Sequence, residues 1–160
     1  MLFVHLKLKG TVVYEDHPFF QGVVSPNGQR RANFAVQNAD LLISLASGIS
    51  ASKVGFNFKS FAPKAKKVIV DVDASQVFHQ AVVPDLGIVA DVRLFLQELL
   101  RQLKQVKITP NSRWLDACAT WKERYPVIIE DYFQDKDYVN SYVFADKISD
   151  LLTSQDRNLL

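Results

Sequence analysis

Short apolar runs alternate with helix-periodic stretches over roughly the first two thirds of the chain. LFVHLKL (2–8) reads as a strand ended by Gly10, and DLLISLAS (40–47) as a strand covered on both faces, because its apolar run is almost unbroken. KVIVDVD (67–73) is the clearest buried strand, and GIVA (87–90) is a brief fourth. Between them, GQRRANFAVQNA (28–39) places Ala32, Phe34, Ala35, Val36 and Ala39 near helical spacing after the turn SPNG (25–28). GFNFKSFAP (55–63) is aromatic but interrupted, as in a loop or short helical turn, and ASQVFHQ (74–80) suits a short helix. DVRLFLQELLRQL (91–103) is strongly amphipathic, with Asp91 in the N-cap position. This alternation predicts an α/β fold: a Rossmann-like parallel sheet with helices on both faces.

The pattern changes after Leu103. KQVKITPNSR (104–113) is polar and contains a proline, so the expected division is an α/β domain over 1–103, a linker over 104–113 and a helical tail over 114–160. In the tail, WLDACATWKERYP (114–126) is helical until Pro126 stops it. DYVNSYVFADKISDLLTS (137–154) predicts a second helix with Tyr138, Tyr142, Ala145, Ile148 and Leu152 on one face.

Composition narrows the functional classes. At 160 residues, 48% hydrophobic and 22% charged, the chain has globular composition. A net charge of +2 does not make a field suited to nucleic acid or anionic lipid. Lys59, Lys64, Lys66 and Lys67 cluster beside Pro63, a pattern expected of a solvated loop. The single Cys118 excludes an internal disulfide and offers no metal-ligand spacing; in an apolar-periodic segment it reads as a small buried residue. No apolar run is long enough to span a membrane, and the opening MLFVHLKLKG is interrupted too early for a signal peptide, so a cytoplasmic setting is expected.

Parallel sheets bind ligands at the carboxyl ends of their strands, beside helix N-termini. Three candidate positions fall there. Asn27-Gly28 opens a helix and offers backbone N–H groups to a phosphate, with Arg30 and Arg31 next; alternatively the pair makes a plain turn tolerant of positive φ. SGISAS (47–52), with Gly48, can approach a ligand closely, although no G-x-G-x-x-G occurs. Asp71 and Asp73 share one face at a strand tip. Asp73 is expected to cap the helix beginning at Ala74, while a ribose-binding and a structural role both stay open for Asp71. His5, His17 and His79 build no site, and neither a metal centre nor a catalytic residue is predicted.

Several stretches, taken in order, resemble thiamine-diphosphate-dependent enzymes: EDHPFFQG, GQRRANFAVQNADLLISLAS, GFNFKSFAPKAKKVIVDVDASQ, PDLGIVADVRLFLQELL and YVNSYVFADKISDLL. The chain is similar to acetolactate-synthase-like large subunits, and among them to the kind associated with surface-polysaccharide loci, from about Phe3 to Leu152. The resemblance implies the central, Rossmann-like domain, begun after its first strand and helix, with residues 114–160 as the start of a truncated diphosphate-binding domain. Family members act on 2-keto acids as carboligases or decarboxylases, and some carry FAD or ADP in this domain. Their thiamine diphosphate and Mg²⁺ are gripped by an activating glutamate and a Gly-Asp-Gly motif on other domains, and this sequence contains no Gly-Asp-Gly.

The departures from the family pattern bear on the candidate site. Where the family has Gly-x-Arg after the second strand, this chain has Ala46, Ser47 and Gly48, so the arginine that helps hold a flavin is missing. A family glycine and histidine in the phosphate loop match Ser25 and Asn27, while Gly28 and Asp73 remain. The resemblance therefore implies weakened FAD binding and a domain that is mainly scaffold, inactive alone, as a truncated gene product or derived piece would be. Its expected partners are other domains or subunits of such an enzyme, or further copies of itself. A stand-alone ADP- or FAD-binding module and an interaction subunit of a complete homologue are the alternatives.

Overall fold

The computed structural model describes residues 2–6, 17–107, 109–134 and 137–151, the first of these by its backbone. Four parallel strands stand in chain order: β1 (Leu2–Leu6), β2 (Leu41–Leu45), β3 (Lys66–Asp71) and β4 (Leu86–Val89). Their register sets Ile43 opposite Val68 and Val70 opposite Ile88. The helices are α1 (Arg30–Asn38), α2 (Ala51–Val54), α3 (Ala74–Phe78), α4 (Val92–Leu103), α5 (Ser112–Arg124) and α6 (Ser141–Leu151). One 3₁₀ turn spans Phe58–Ser60, inside the aromatic stretch read as a loop or short helical turn, and another spans Glu130–Phe133. The short α2 falls where the sequence suggested only a Gly/Ser loop.

Side-chain alternation separates the two faces of the sheet. Leu42 and Ile69 point into a core shared with Ala32 and Val36 of α1, with Ala39 at its C-terminal cap, and with Val77 of α3. Ile43, Leu45 and Val70 point the other way and are covered by Val92, Phe95 and Leu96 of α4. Helices thus lie on both faces, as the alternating pattern predicts. Strand β2 is apolar nearly throughout because it is buried on both sides: Leu42 and Leu45 are almost fully enclosed.

Local chemistry sets several boundaries. The Asp91 side chain accepts from the Leu94 N–H at 3.1 Å and starts α4, and Asn111 starts α5 by accepting from the Trp114 N–H at 3.2 Å. Asp85 anchors the entry to β3, accepting from the Lys67 backbone N–H at 2.9 Å and from Lys66 Nζ at 3.0 Å. Two of the clustered lysines are thereby tied to the fold, since Lys67 Nζ also donates to the Ala65 carbonyl. The ion pair of Lys66 is exposed and adds little stability.

The compact unit runs from the N-terminus through Tyr125, beyond the 104–113 stretch where composition put the boundary. Helix α5 is the reason. Trp114 and Cys118 are buried against Ala35 of α1, and Phe34 meets Trp121 and Tyr125 with ring centroids 6.0 and 5.2 Å apart. Trp114 and Trp121 pack edge-to-face at 5.6 Å, a favoured aromatic geometry. Burial pushes the Cys118 thiol up to about 11, so it is an inert packing group.

A second unit begins at Pro126. Within it, Tyr132 and Tyr142 stack at 6.3 Å and Val143 is the buried residue of α6. The face expected to be apolar is largely exposed at Tyr138, Tyr142 and Ile148; Leu152 lies outside the described residues.

If α5 is an integral layer, truncating its buried indole should destabilise the whole first unit. Trp114→Ala is expected to lower stability by about 3 kcal/mol. Chemical denaturation followed by circular dichroism measures it, and an unchanged midpoint would mean that α5 is only loosely attached.

Candidate functional site

The SPNG turn is closed by its own backbone and side chains. The Gly28 N–H donates to the Ser25 carbonyl at 2.9 Å, the Asn27 N–H to Ser25 Oγ at 3.1 Å, and the Gln29 N–H to the Val23 carbonyl at 3.1 Å. Asn33 of α1 reaches back and donates to the Ser25 carbonyl at 2.9 Å. The expectation that glycine serves here for a positive φ is corrected: among the described residues, left-handed φ occurs at Ala46, Ala62, Gly22, Gly48 and Gly55, not at Asn27 or Gly28. Gly28 is needed for close approach, since a Cβ there would lie 2.2 Å from the Val23 carbonyl oxygen and 2.7 Å from the Ser25 nitrogen.

The two arginines after the turn diverge. Arg31 is buried, and its Nε donates to the Gln21 carbonyl at 3.0 Å, while Arg30 is exposed. Helix α1 has no side-chain cap: Gln29 occupies that position, and its amide oxygen accepts instead from the Val23 N–H.

At the carboxyl end of β2 the chain turns sharply through Ala46 and Gly48, with φ of 44° and 48°. Lys53, on α2, folds back so that its ammonium donates to the Ser47 and Gly48 carbonyls and approaches Ser47 Oγ at 3.3 Å. The position of the absent arginine is covered from another side too. A Cβ on Gly48 would meet the Gln76 amide oxygen at 2.6 Å, and that oxygen accepts from Gln80 at 3.3 Å. Neither Lys53 nor Gln76 stood out in the sequence. The only signal was a lysine in a serine-rich stretch a few residues beyond the strand.

The Asp-x-Asp tip of β3 is engaged with its own backbone. One Asp71 carboxylate oxygen accepts from the Asp73 N–H at 3.0 Å, and one Asp73 oxygen accepts from the Ser75 N–H at 2.8 Å, capping α3. Hydrogen bonds from the Ser75 side chain and backbone hold the Asp73 carboxyl below the usual carboxylate range, with His79 adding a smaller push in the same direction. The alternative left open for Asp71 thus has an observed structural component. Among the described residues, no three His, Cys, Asp or Glu side chains converge as a metal site would require.

The candidates do not form one cluster. Gly48 meets α3 through Gln76, just beyond Asp73. The Ser25–Pro26 turn and Lys53 flank a separate groove of about 280 Å³, which neither Asp71 nor Asp73 lines.

The pattern that defines the thiamine pyrophosphate enzyme central domain matches residues 2–99, so the chain belongs to that family. It is 31% identical over 119 residues to the acetolactate synthase large subunit of Cyanidium caldarium, covering 72% of this chain and 20% of that protein. It is 34% identical over 102 residues to the probable acetolactate synthase large subunit of Methanocaldococcus jannaschii, covering 64% and 17%. To the acetolactate synthase isozyme 1 large subunit of Escherichia coli it is 30% identical over 110 residues, covering 69% and 19%. The chain spans about a fifth of the length of these curated relatives.

Two substitutions test the local roles. Gly28→Ala should cost about 1–3 kcal/mol, because backbone atoms on two sides must give way; a thermal melt matching wild type would remove the close-approach argument. Asp73→Ala should lower the melting temperature at neutral pH. The folded carboxyl sits below its ordinary value of 3.8, so its contribution is present above that value and lost as pH falls through the folded value. The gap between wild type and Asp73→Ala should therefore close in acid, whereas Asp73→Asn, still a capping residue, should retain most of the stability at every pH.

Proposed function

We propose that this chain serves as the central-domain scaffold of a thiamine-diphosphate-dependent, acetolactate-synthase-like enzyme and does not catalyse alone. The observation that carries this reading is the engagement of polar groups at the strand ends. Asp71 and Asp73 accept from their own backbone, Lys53 is bonded to the loop after β2, and Gln76 lies against Gly48 where the family's arginine would project. A domain built to grip a flavin diphosphate would instead direct cations and N–H groups outward. Asn27, Gly28 and Gly48 act in this reading as turn formers rather than as nucleotide ligands.

In the assembled enzyme, thiamine diphosphate supplies the chemistry that joins or decarboxylates 2-keto acids. The residues described do not fit that cofactor or its Mg²⁺, since no carboxylate cluster is available to bind the metal. Those groups belong to other domains or subunits, which are the partners this reading requires, together with further copies of the chain. The transferase activity and cytoplasmic setting of such an enzyme complete the proposal. A lone, buried cysteine and a net charge of +2 suit that setting.

With pyruvate, thiamine diphosphate and Mg²⁺, the 160-residue chain should show no turnover above a no-protein control in a coupled assay. Calorimetric titration should find FAD and ADP bound weakly or not at all. Turnover would overturn the absence of catalysis, and submicromolar FAD binding would overturn the scaffold assignment.

A further inference from the structure

We propose that the groove between α1, α2 and the Ser25–Pro26 turn binds a small uncharged amphiphile whose hydroxyl or carbonyl tip hydrogen-bonds to Ser44. The outer groove, about 280 Å³, presents Asn33 and Gln37 from one face of α1, with Val54 and Phe61 opposite. It shares Val24, Val36, Lys53, Val54 and Phe61 with a narrow inner chamber of about 10 Å³, room for one water-sized group. Leu42, Ser44 and Ile49 line that chamber.

Ser44 is the observation that points to a ligand. It is 2% exposed, in a strand otherwise made of leucine and isoleucine, and its hydroxyl has no hydrogen-bond partner among the described residues. Buried hydroxyls are almost always paired, because desolvating one without a partner costs free energy that an alanine would avoid. This one lines a chamber with room for a single water-sized group, and a wider space walled by both apolar and amide side chains adjoins it through five shared lining residues.

The same features select the occupant. A hydroxyl both donates and accepts, so the tip is an alcohol or a carbonyl. The body is compact and amphiphilic, because Val24, Pro26, Val36, Val54 and Phe61 supply the apolar part of the walls and Ser25, Asn33 and Gln37 the polar part. The Lys53 ammonium donates to the Ser47 and Gly48 carbonyls and approaches Ser47 Oγ, so its N–H donors are engaged on the loop, and no other charged side chain lines either space among the described residues. A dinucleotide exceeds the space and would find no Gly-rich phosphate cradle there.

The test uses the full chain with 4-fluorobenzyl alcohol as probe and 4-fluorotoluene as its hydroxyl-free control, read by fluorine NMR of the ligand and amide shifts of the protein. The alcohol should bind in the millimolar range, shifting amides of Ser44, Val36 and Val54. Ser44→Ala should weaken it about tenfold while leaving the melting temperature unchanged or higher, as removal of an unpaired hydroxyl permits. The toluene should bind wild type and Ser44→Ala alike. Val54→Trp, which fills the outer groove from a partly exposed position, should abolish binding with the amide spectrum otherwise preserved. Equal affinity for wild type and Ser44→Ala, shifts confined to another face, or no shift to the solubility limit would each overturn the site.

Discussion

Helix α1 packs on the sheet through Ala32, Val36 and its C-cap residue Ala39 and on α5 through Ala35, so one helix joins two hydrophobic clusters that would otherwise be separate. Alanine makes the double contact possible. Its methyl group lets the helix backbone approach both neighbours, and it carries no side-chain entropy to lose. Larger groups appear only where there is room: Phe34, at the margin, reaches Trp121 and Tyr125. The helix also holds the preceding loop, through Asn33 on the Ser25 carbonyl and Arg31 on the Gln21 carbonyl. A shift of α1 would therefore move the SPNG turn, the groove beside it and the docking of α5 together.

Where a structural signal is local or periodic, it was legible along the chain. The unbroken run in β2 corresponds to a strand buried on both faces, and Asp91 and Asp73 cap the helices that follow them. Contacts between distant segments were not legible. The segment that holds Trp114, Cys118 and Trp121 was legible as a helix with Cys118 buried, but nothing in its spacing names α1 as its partner. Gly28 illustrates the same limit inside a turn. Its sequence context fits a left-handed position, whereas the actual constraint is the Val23 carbonyl, brought close by the path of the loop.

The departures around the second strand are coupled, which a position-by-position comparison cannot reveal. An arginine at position 48 would need a side chain at φ +48° and would displace Gln76 from its contact with Gln80. Lys53 bonds the same turn from α2. Lys53 thus bonds the loop and Gln76 crowds it from a second segment, so a small residue is required at its centre. Restoring the arginine alone would strain the loop without rebuilding an anion site.

A strand-tip Asp-x-Asp can present its oxygens outward to a ribose or metal, or turn them onto the chain. The two outcomes compete for the same lone pairs. Here each aspartate bonds the N–H two residues ahead, Asp71 to Asp73 and Asp73 to Ser75. These successive bonds guide the backbone from an extended strand into the first turn of α3, satisfying donors at the point where the ladder has ended and the helix has not begun. A ligand at this tip would have to compete with both bonds or use the remaining carboxylate oxygens. The acids at the end of β3 are thus explained first by the strand-to-helix transition they make possible, and their presence is no independent argument for a nucleotide.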